Sequence, residues 1–124
     1  MKRDILPGMR RLALLALLAS SFILAADITG TWDFAVETGQ GSGNPVFTFR
    51  QEGEKLTGAY SGLFGKADVA GTVKGDAVEF TFDVSAQGQN AKMRYTGKVE
   101  SPGKMKGNVS LGDLGSGTWT ATRK

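Results

Sequence analysis

The sequence contains no cysteine and no histidine among its 124 residues. Without cysteine, no disulfide stabilises the fold and no thiol is available as a nucleophile, a metal ligand or a site of lipid attachment. Without histidine, the chain lacks the commonest general base and the commonest metal ligand of proteins. Catalysis would have to depend on carboxylates, lysines, tyrosines or serines. The sequence therefore favours a non-catalytic protein without a metal or another cofactor.

The chain also has no excess of positive charge once its first 26 residues are set apart. The formal charge of the whole sequence is +3. Four of the 15 Lys and Arg residues and one of the 12 Asp and Glu residues fall within residues 1–26, so the remaining chain carries 11 of each. Proteins that bind nucleic acid generally present a net basic surface. We therefore expect no nucleic-acid partner.

Residues 1–26 differ in composition from the rest of the chain. Basic residues precede an apolar run over residues 12–26, and small residues stand directly before Asp27. This is the pattern of a secretory signal peptide, and the run is shorter than the roughly 20 residues of a membrane-spanning helix. We predict cleavage after Ala25 or Ala26, export to the periplasm or the extracellular space, and a domain of residues 27–124 without a membrane span. An uncleaved anchor is the alternative.

Residues 27–124 show the periodicity of β-strands throughout. Apolar and polar residues alternate in ITGTWDFAVE, and seven further segments repeat this alternation between glycine-rich breaks. We predict a single eight-stranded antiparallel up-and-down β-barrel, because closure leaves no unpaired strand edge. An open two-layer sandwich is the alternative. The matching segments TGTW and SGTW predict that the first and last strands pair at the closure of the barrel.

The breaks between the strands predict two unlike ends of the barrel. Those after the second, fourth and sixth strands are short, and those after the first, third, fifth and seventh are longer, TGQGSGN, SGLFGK, SAQGQN and GDLGSG. Alternate connections of a meander lie at opposite ends, so we expect a tight base and a loop-rich mouth. Pro102 and Gly103 fit a type II turn at the base. Inward glycines such as Gly97 and Gly107 predict close approach of neighbouring backbones.

At Gly30-Thr31-Trp32 the sequence resembles the Gly-x-Trp of the first strand in lipocalins and other calycins. In that family the tryptophan lies at the closed end of the barrel, and an arginine of the last strand packs over it. The resemblance implies that Arg123 has a structural role and covers Trp32 through a cation–π contact. Across nearly all of residues 27–124, with LTGAYSG, GTVKG, KMKG and the closing GTWTATRK in succession, the sequence is also similar to small exported bacterial β-barrel domains that have no assigned activity.

The segments ITGTW and LTGAYSG resemble the first strands of the avidin family as well. This resemblance implies that Tyr60 contacts a ligand. Phe34 and Gly62, however, stand where that family has polar contacts to biotin, and most of its later tryptophans have no counterpart here. The sequence therefore argues against biotin as the ligand.

The predicted interior of the barrel is apolar apart from two phenols. Eight-stranded barrels are either filled by side chains or hold one small ligand, and a buried hydroxyl needs a hydrogen-bonding partner. We predict that a small hydrophobic ligand binds inside the barrel, and a filled core is the alternative. The candidate ligand-binding residues are Trp32, Phe34, Tyr60, Phe82, Tyr95 and Trp119.

Leu63 and Phe64 form an apolar pair between glycines at the predicted mouth. Three roles fit such a pair: a lid over a ligand, a contact for another exported protein, or a plug that folds back into the barrel. The alternative function is accordingly a protein-interaction, inhibitor or accessory module with a filled core that acts through its loop-rich end.

Overall fold

The structure is a computed structural model, and it describes residues 26–86 and 88–124. The predicted signal peptide lies outside the described residues except for Ala26. The described residues form nine strands and one 3-10 turn, η1. These are β1 (Gly30–Thr38), β2 (Gly41–Gly43), β3 (Val46–Glu52), β4 (Lys55–Gly62), β5 (Gly65–Lys74), β6 (Ala77–Ala86), β7 (Gln89–Ser101), β8 (Lys104–Ser110), η1 (Gly112–Leu114) and β9 (Ser116–Arg123).

The strands form one closed antiparallel barrel. Neighbours in the chain are neighbours in the sheet, and β9 pairs with β1 to complete the circle. At this seam Arg123 lies opposite Trp32, and Trp119 lies opposite Val36. Both tryptophans are buried in the same interior. The predicted eight-stranded barrel and the predicted pairing of its first and last strands are therefore confirmed.

The ninth strand arises because β2 and β3 share one position in the barrel. The register of β1 against β2 continues without a shift into its register against β3. The interruption falls at Pro45, which has no N–H to donate to the ladder. Its carbonyl still accepts a hydrogen bond from the N–H of Phe34 at 3.0 Å. The predicted long connection after the first strand is therefore a hairpin that turns at Gly39 and Gln40.

The prediction that loops form the mouth of the barrel is wrong. After β4 the chain turns through only Leu63 and Phe64, since Gly62 pairs with Gly65. The strand ladders thus continue to the rim, and hairpin tips form most of the mouth. The longer connection that remains there holds η1. The expectation is wrong because glycine is typical of loops but also tolerates an extended strand, as Gly62 and Gly65 do here.

The base of the barrel has short turns, as predicted, at residues 53–54, 75–76 and 102–103. The expected type II geometry at Pro102 and Gly103 is wrong, because Gly103 does not have the positive φ that this turn requires. A β-bulge between Val99 and Ser101 shifts the register of β7 against β8 just before the turn. Such a bulge bends the strand and increases its twist locally.

Close backbone approach explains the inward glycines of β7 and β8. Gly97 and Gly107 face each other across the two strands. A Cβ atom at Gly107 would overlap the backbone of Thr96 and Gly97, and one at Gly97 would lie 2.7 Å from the Trp119 ring. The absence of a side chain at both positions lets the strands coil tightly and leaves room for the indole.

Aromatic side chains fill most of the interior. The Phe34 ring stacks on Trp119 with centroids 4.9 Å apart, and the Phe80 ring stacks on Tyr95 at 5.0 Å. Phe47 lies 4.4 Å from Phe34 and links the two pairs.

Within residues 26–86 and 88–124, no helix has the length and apolarity needed to cross a membrane.

Candidate functional site

The base of the barrel is sealed by Arg123 and Trp32. The guanidinium carbon of Arg123 lies 4.6 Å from the centroid of the Trp32 ring, which is the contact implied by the calycin resemblance. Its nitrogens donate hydrogen bonds to the carbonyls of Asp27, Thr29 and Pro102. The last strand is thereby tied to the segment before the first strand and to the turn between β7 and β8.

Residues 26–29 cross the base and close it further. Ile28 is buried, and its carbonyl accepts a hydrogen bond from the Trp32 indole at 2.9 Å. The side chain of Gln51 accepts from the Ile28 N–H and donates to the Ala26 carbonyl. These contacts block access to the interior from this end.

The carboxylate of Asp27 lies in the same segment. Hydrogen bonds from Thr29, with the charge of Arg123 as a smaller cause, lower the pKa of Asp27.

A cavity of about 260 Å³ lies at the opposite end, the mouth. Its walls come from the hairpin of β1 and β2, from the tip between β4 and β5, from β7 and from η1. The lining is mainly apolar, with phenol and amide groups among it, and none of its residues carries a charge. The lining residues are Val36, Thr38, Gln40, Gly41, Ser42, Gly43, Asn44, Pro45, Tyr60, Leu63, Phe64, Tyr95, Leu111 and Leu114.

The two phenols of the cavity have different surroundings. The Tyr60 oxygen accepts a hydrogen bond from the N–H of Phe64 at 3.3 Å. The Tyr95 side chain is 3% exposed, and its hydroxyl forms no hydrogen bond with the described residues. Burial raises the pKa of Tyr95 far above its usual value, and the neighbouring Tyr60 raises it further. Burial also raises the pKa of Tyr60, against a smaller opposite effect of the Phe64 N–H.

The structure separates the roles of Leu63 and Phe64. Phe64 is half-buried and packs against the core, whereas Leu63 is 84% exposed. Both side chains also line the mouth cavity. Phe64 therefore folds inward at the rim, as the plug role requires, whereas Leu63 stays in solvent beside the opening.

Only some of the predicted ligand-binding residues meet at this cavity. Tyr60 and Tyr95 line it, but Phe34, Phe82 and Trp119 do not, because they pack in the aromatic core beneath it. Trp32 lies at the sealed base. The interior is thus filled near the base and open at the mouth. The barrel therefore has features of both predicted alternatives, the filled core and the interior cavity.

The predicted ligand-binding residues did not include the lining from Val36, Thr38, residues 40–45, Leu111 and Leu114. The segment of residues 40–45 has the composition of a loop, but its residues Gly41–Gly43 form one arm of the hairpin at the rim. Leu114 stands three residues after Leu111, which is the spacing of one 3-10 turn. Gln40 fixes this turn by donating from its side-chain amide to the Leu114 carbonyl at 3.1 Å. Leu111 and Leu114, an apolar pair at this spacing next to glycines, were the sequence signal that could have predicted the turn and this part of the lining.

The carboxylates lie away from the cavity. Asp33, Glu37, Asp68 and Asp83 are exposed on the outer face of the barrel, and Glu79 is half-buried there. Glu79 and Asp83 form ion pairs with Arg94 and Lys92 of the neighbouring strand. Within residues 26–86 and 88–124, no group of three or more acidic residues could hold a metal ion.

The backbone is similar to two solved structures of redesigned β-barrels. One has a TM-score of 0.65 and 20% identity, over 78% of this chain and 91% of that chain. The other, mFAP1 bound to DFHBI, has a TM-score of 0.59 and 19% identity, over 78% of this chain and 94% of that chain. At these identities the likeness shows the barrel fold alone. No protein-family model matches the sequence, and neither does any curated protein.

Proposed function

We propose that this protein is an exported, non-catalytic β-barrel that binds a small apolar ligand at its mouth. The observation that carries the proposal is the cavity of about 260 Å³ at one end of a barrel whose other end is sealed. Ligand sites in proteins are typically concave and apolar, with a few polar groups that fix orientation. The mouth cavity has this composition, and its volume suits a ligand smaller than a typical drug molecule.

Three further features support the proposal. The redesigned barrel mFAP1, which is similar in fold, binds the small molecule DFHBI. The calycin resemblance points the same way, since lipocalins hold small apolar molecules in such barrels. The non-catalytic role is supported by the lack of histidine and cysteine and by carboxylates that lie on the outer face. Export rests on the composition of residues 1–26 alone.

Native mass spectrometry of the protein purified from its natural compartment tests this function. We expect extra mass that disappears on denaturation and that is absent from a Leu114→Trp variant, whose larger side chain fills the cavity. Lys98→Gln, a change on the outer face, is the matched control and should keep the ligand. A bare mass for the unmodified protein, followed by no binding of small apolar compounds that fit the cavity, would contradict the proposal.

A second function is favoured by one observation, the exposure of Leu63. Among the described residues, Leu63 is the one large hydrophobic residue that is exposed to solvent, at 84%. An apolar side chain at a hairpin tip suits contact with another exported protein. The expected result is that one specific protein co-purifies with the unmodified chain and with Lys98→Gln but not with Leu63→Ser. Equal recovery with all three variants would remove Leu63 from such a contact.

A further inference from the structure

The hydroxyl of Tyr95 is a buried polar group at the mouth cavity. Its side chain is 3% exposed, lines the cavity, and has no hydrogen-bonding partner within residues 26–86 and 88–124. A buried hydroxyl without a partner costs free energy, because it has lost its hydrogen bonds to water. Such a group in a folded protein calls for an explanation, usually a bound water or a ligand.

The second phenol of the cavity has a proton to donate as well. The Tyr60 oxygen accepts the Phe64 N–H, which uses one of its two acceptor positions and leaves the hydroxyl proton free. Burial raises the pKa of both phenols, so both remain protonated at neutral pH. The cavity therefore presents two O–H donors from different strands, β4 and β7.

The other polar groups of the lining are already engaged or lie at the rim. The side-chain amides of Gln40 and Asn44 donate to the backbone carbonyls of Leu114 and Phe34. None of the described residues that line the cavity is charged. A charged ligand would lose its hydration there without gaining an opposite charge, which is costly.

We propose that the mouth cavity selects a neutral ligand with a carbonyl-type oxygen that accepts the hydrogen bond of the Tyr95 hydroxyl, with Tyr60 as a second donor. This inference rests on the proposed function, since it names the ligand class of the same cavity. A ligand of roughly nine non-hydrogen atoms fits the volume, at about the 30 Å³ that each water molecule takes in the liquid. The body of the ligand contacts Leu111, Leu114 and Phe64.

Three probes of nearly equal shape test the inference. Acetophenone carries a neutral carbonyl, α-methylstyrene replaces that oxygen with a methylene group, and benzoate carries a negative charge. Binding of each to the purified protein is measured by calorimetry. We expect acetophenone to bind about tenfold more tightly than α-methylstyrene, as one hydrogen bond to a buried hydroxyl allows. Benzoate should bind more weakly than either neutral probe.

Tyr95→Phe removes the main donor while keeping the ring, and it should reduce the preference for acetophenone over α-methylstyrene to what Tyr60 alone supplies. Lys98→Gln is the control on the outer face and should preserve the preference. Infrared spectroscopy gives a second readout. The carbonyl stretch of bound acetophenone should lie at lower frequency in the unmodified protein than in Tyr95→Phe, because a hydrogen bond weakens the C=O bond.

The outcomes separate the two proposals. Equal affinity for acetophenone and α-methylstyrene would overturn the ligand class but leave an apolar binding site, with a water molecule then meeting the Tyr95 hydroxyl. An undiminished preference in Tyr95→Phe, or an unchanged carbonyl stretch, would also overturn the role of this phenol. Failure of both neutral probes to bind would overturn both the ligand class and the proposed site.

Discussion

The guanidinium group of Arg123 lies over the ring of Trp32, with its central carbon 4.6 Å from the ring centroid. This contact joins the last strand of the barrel to the first. It also accounts for Gly30, where φ is +135° and an added Cβ would lie 3.1 Å from the guanidinium. The Gly-x-Trp of β1 and the arginine of β9 are thus parts of one arrangement that seals the base and leaves the mouth as the open end.

Replacing Arg123 with lysine should destabilise the protein. Lysine keeps the charge but loses the planar group that stacks on the indole and donates to three carbonyls. We expect a loss of about 1 to 3 kcal/mol in the free energy of unfolding, measured by urea denaturation. Arg50→Lys is the control, since the Arg50 guanidinium forms an exposed ion pair with Glu52 and no other contact of this kind among the described residues. Equal stability of both variants would show that the contact at the base contributes nothing.

Adding a methyl group at Gly97 should be far more harmful than adding one at Gly103. The Cβ of Gly97→Ala would meet the Lys106 carbonyl and the Trp119 ring, whereas that of Gly103→Ala meets nothing within 4 Å. We expect Gly97→Ala to lose about 2 kcal/mol or more, and Gly103→Ala to change stability by less than about 0.5 kcal/mol. Thermal unfolding of the two variants provides the comparison. Similar melting temperatures would contradict the close strand approach.

The two residues of the tip between β4 and β5 should respond differently to truncation. Phe64→Ala removes contacts with the core and should cost about 1 to 2 kcal/mol, less than the 3 to 5 kcal/mol typical of a fully buried phenylalanine. Leu63→Ser removes an exposed side chain and should leave stability unchanged. Chemical denaturation measures both. A larger loss for Leu63→Ser than for Phe64→Ala would reverse the assignment of these side chains.

Alkaline titration should show that neither phenol ionises near its usual pKa of 10.0 while the protein is folded. The folded-state pKa values are raised, so the folded protein holds these protons more tightly than the unfolded chain. This contribution to stability is complete below pH 10 and is lost as the pH rises above it. Only two tyrosines are present, so ultraviolet absorbance of the phenolate reports them alone. Ionisation of both near pH 10 without unfolding would contradict their burial.

The architecture could be predicted from the sequence because alternation of apolar and polar residues is a local signal. One face of each strand meets the core and the other meets water, and the repeated Gly-Thr-Trp identified the two seam strands. The interruption at Pro45 and the bulge at residues 99–101 were not predicted. Both depend on how the strand coils within a closed barrel, which adjacent residues in the chain do not specify.

The candidate site could be predicted only in part. Inward parity correctly placed Tyr60 and Tyr95 in the interior, but parity does not say how high in the barrel a residue lies. Phe34, Phe82 and Trp119 share that parity, but their side chains pack in the aromatic core and do not line the cavity. The height of each side chain is set by the stagger of the strands, and the stagger is a property of the whole barrel.

The central claim, a ligand site at the mouth above a filled core, is tested most directly by nuclear magnetic resonance during titration with acetophenone. Two donors report on opposite ends of the barrel: the Phe64 backbone N–H beside Tyr60, and the Trp32 indole N–H at the sealed base. The account predicts a saturable shift of the Phe64 signal while the Trp32 signal stays in place. Saturable shifts at Trp32 without a change at Phe64 would contradict it.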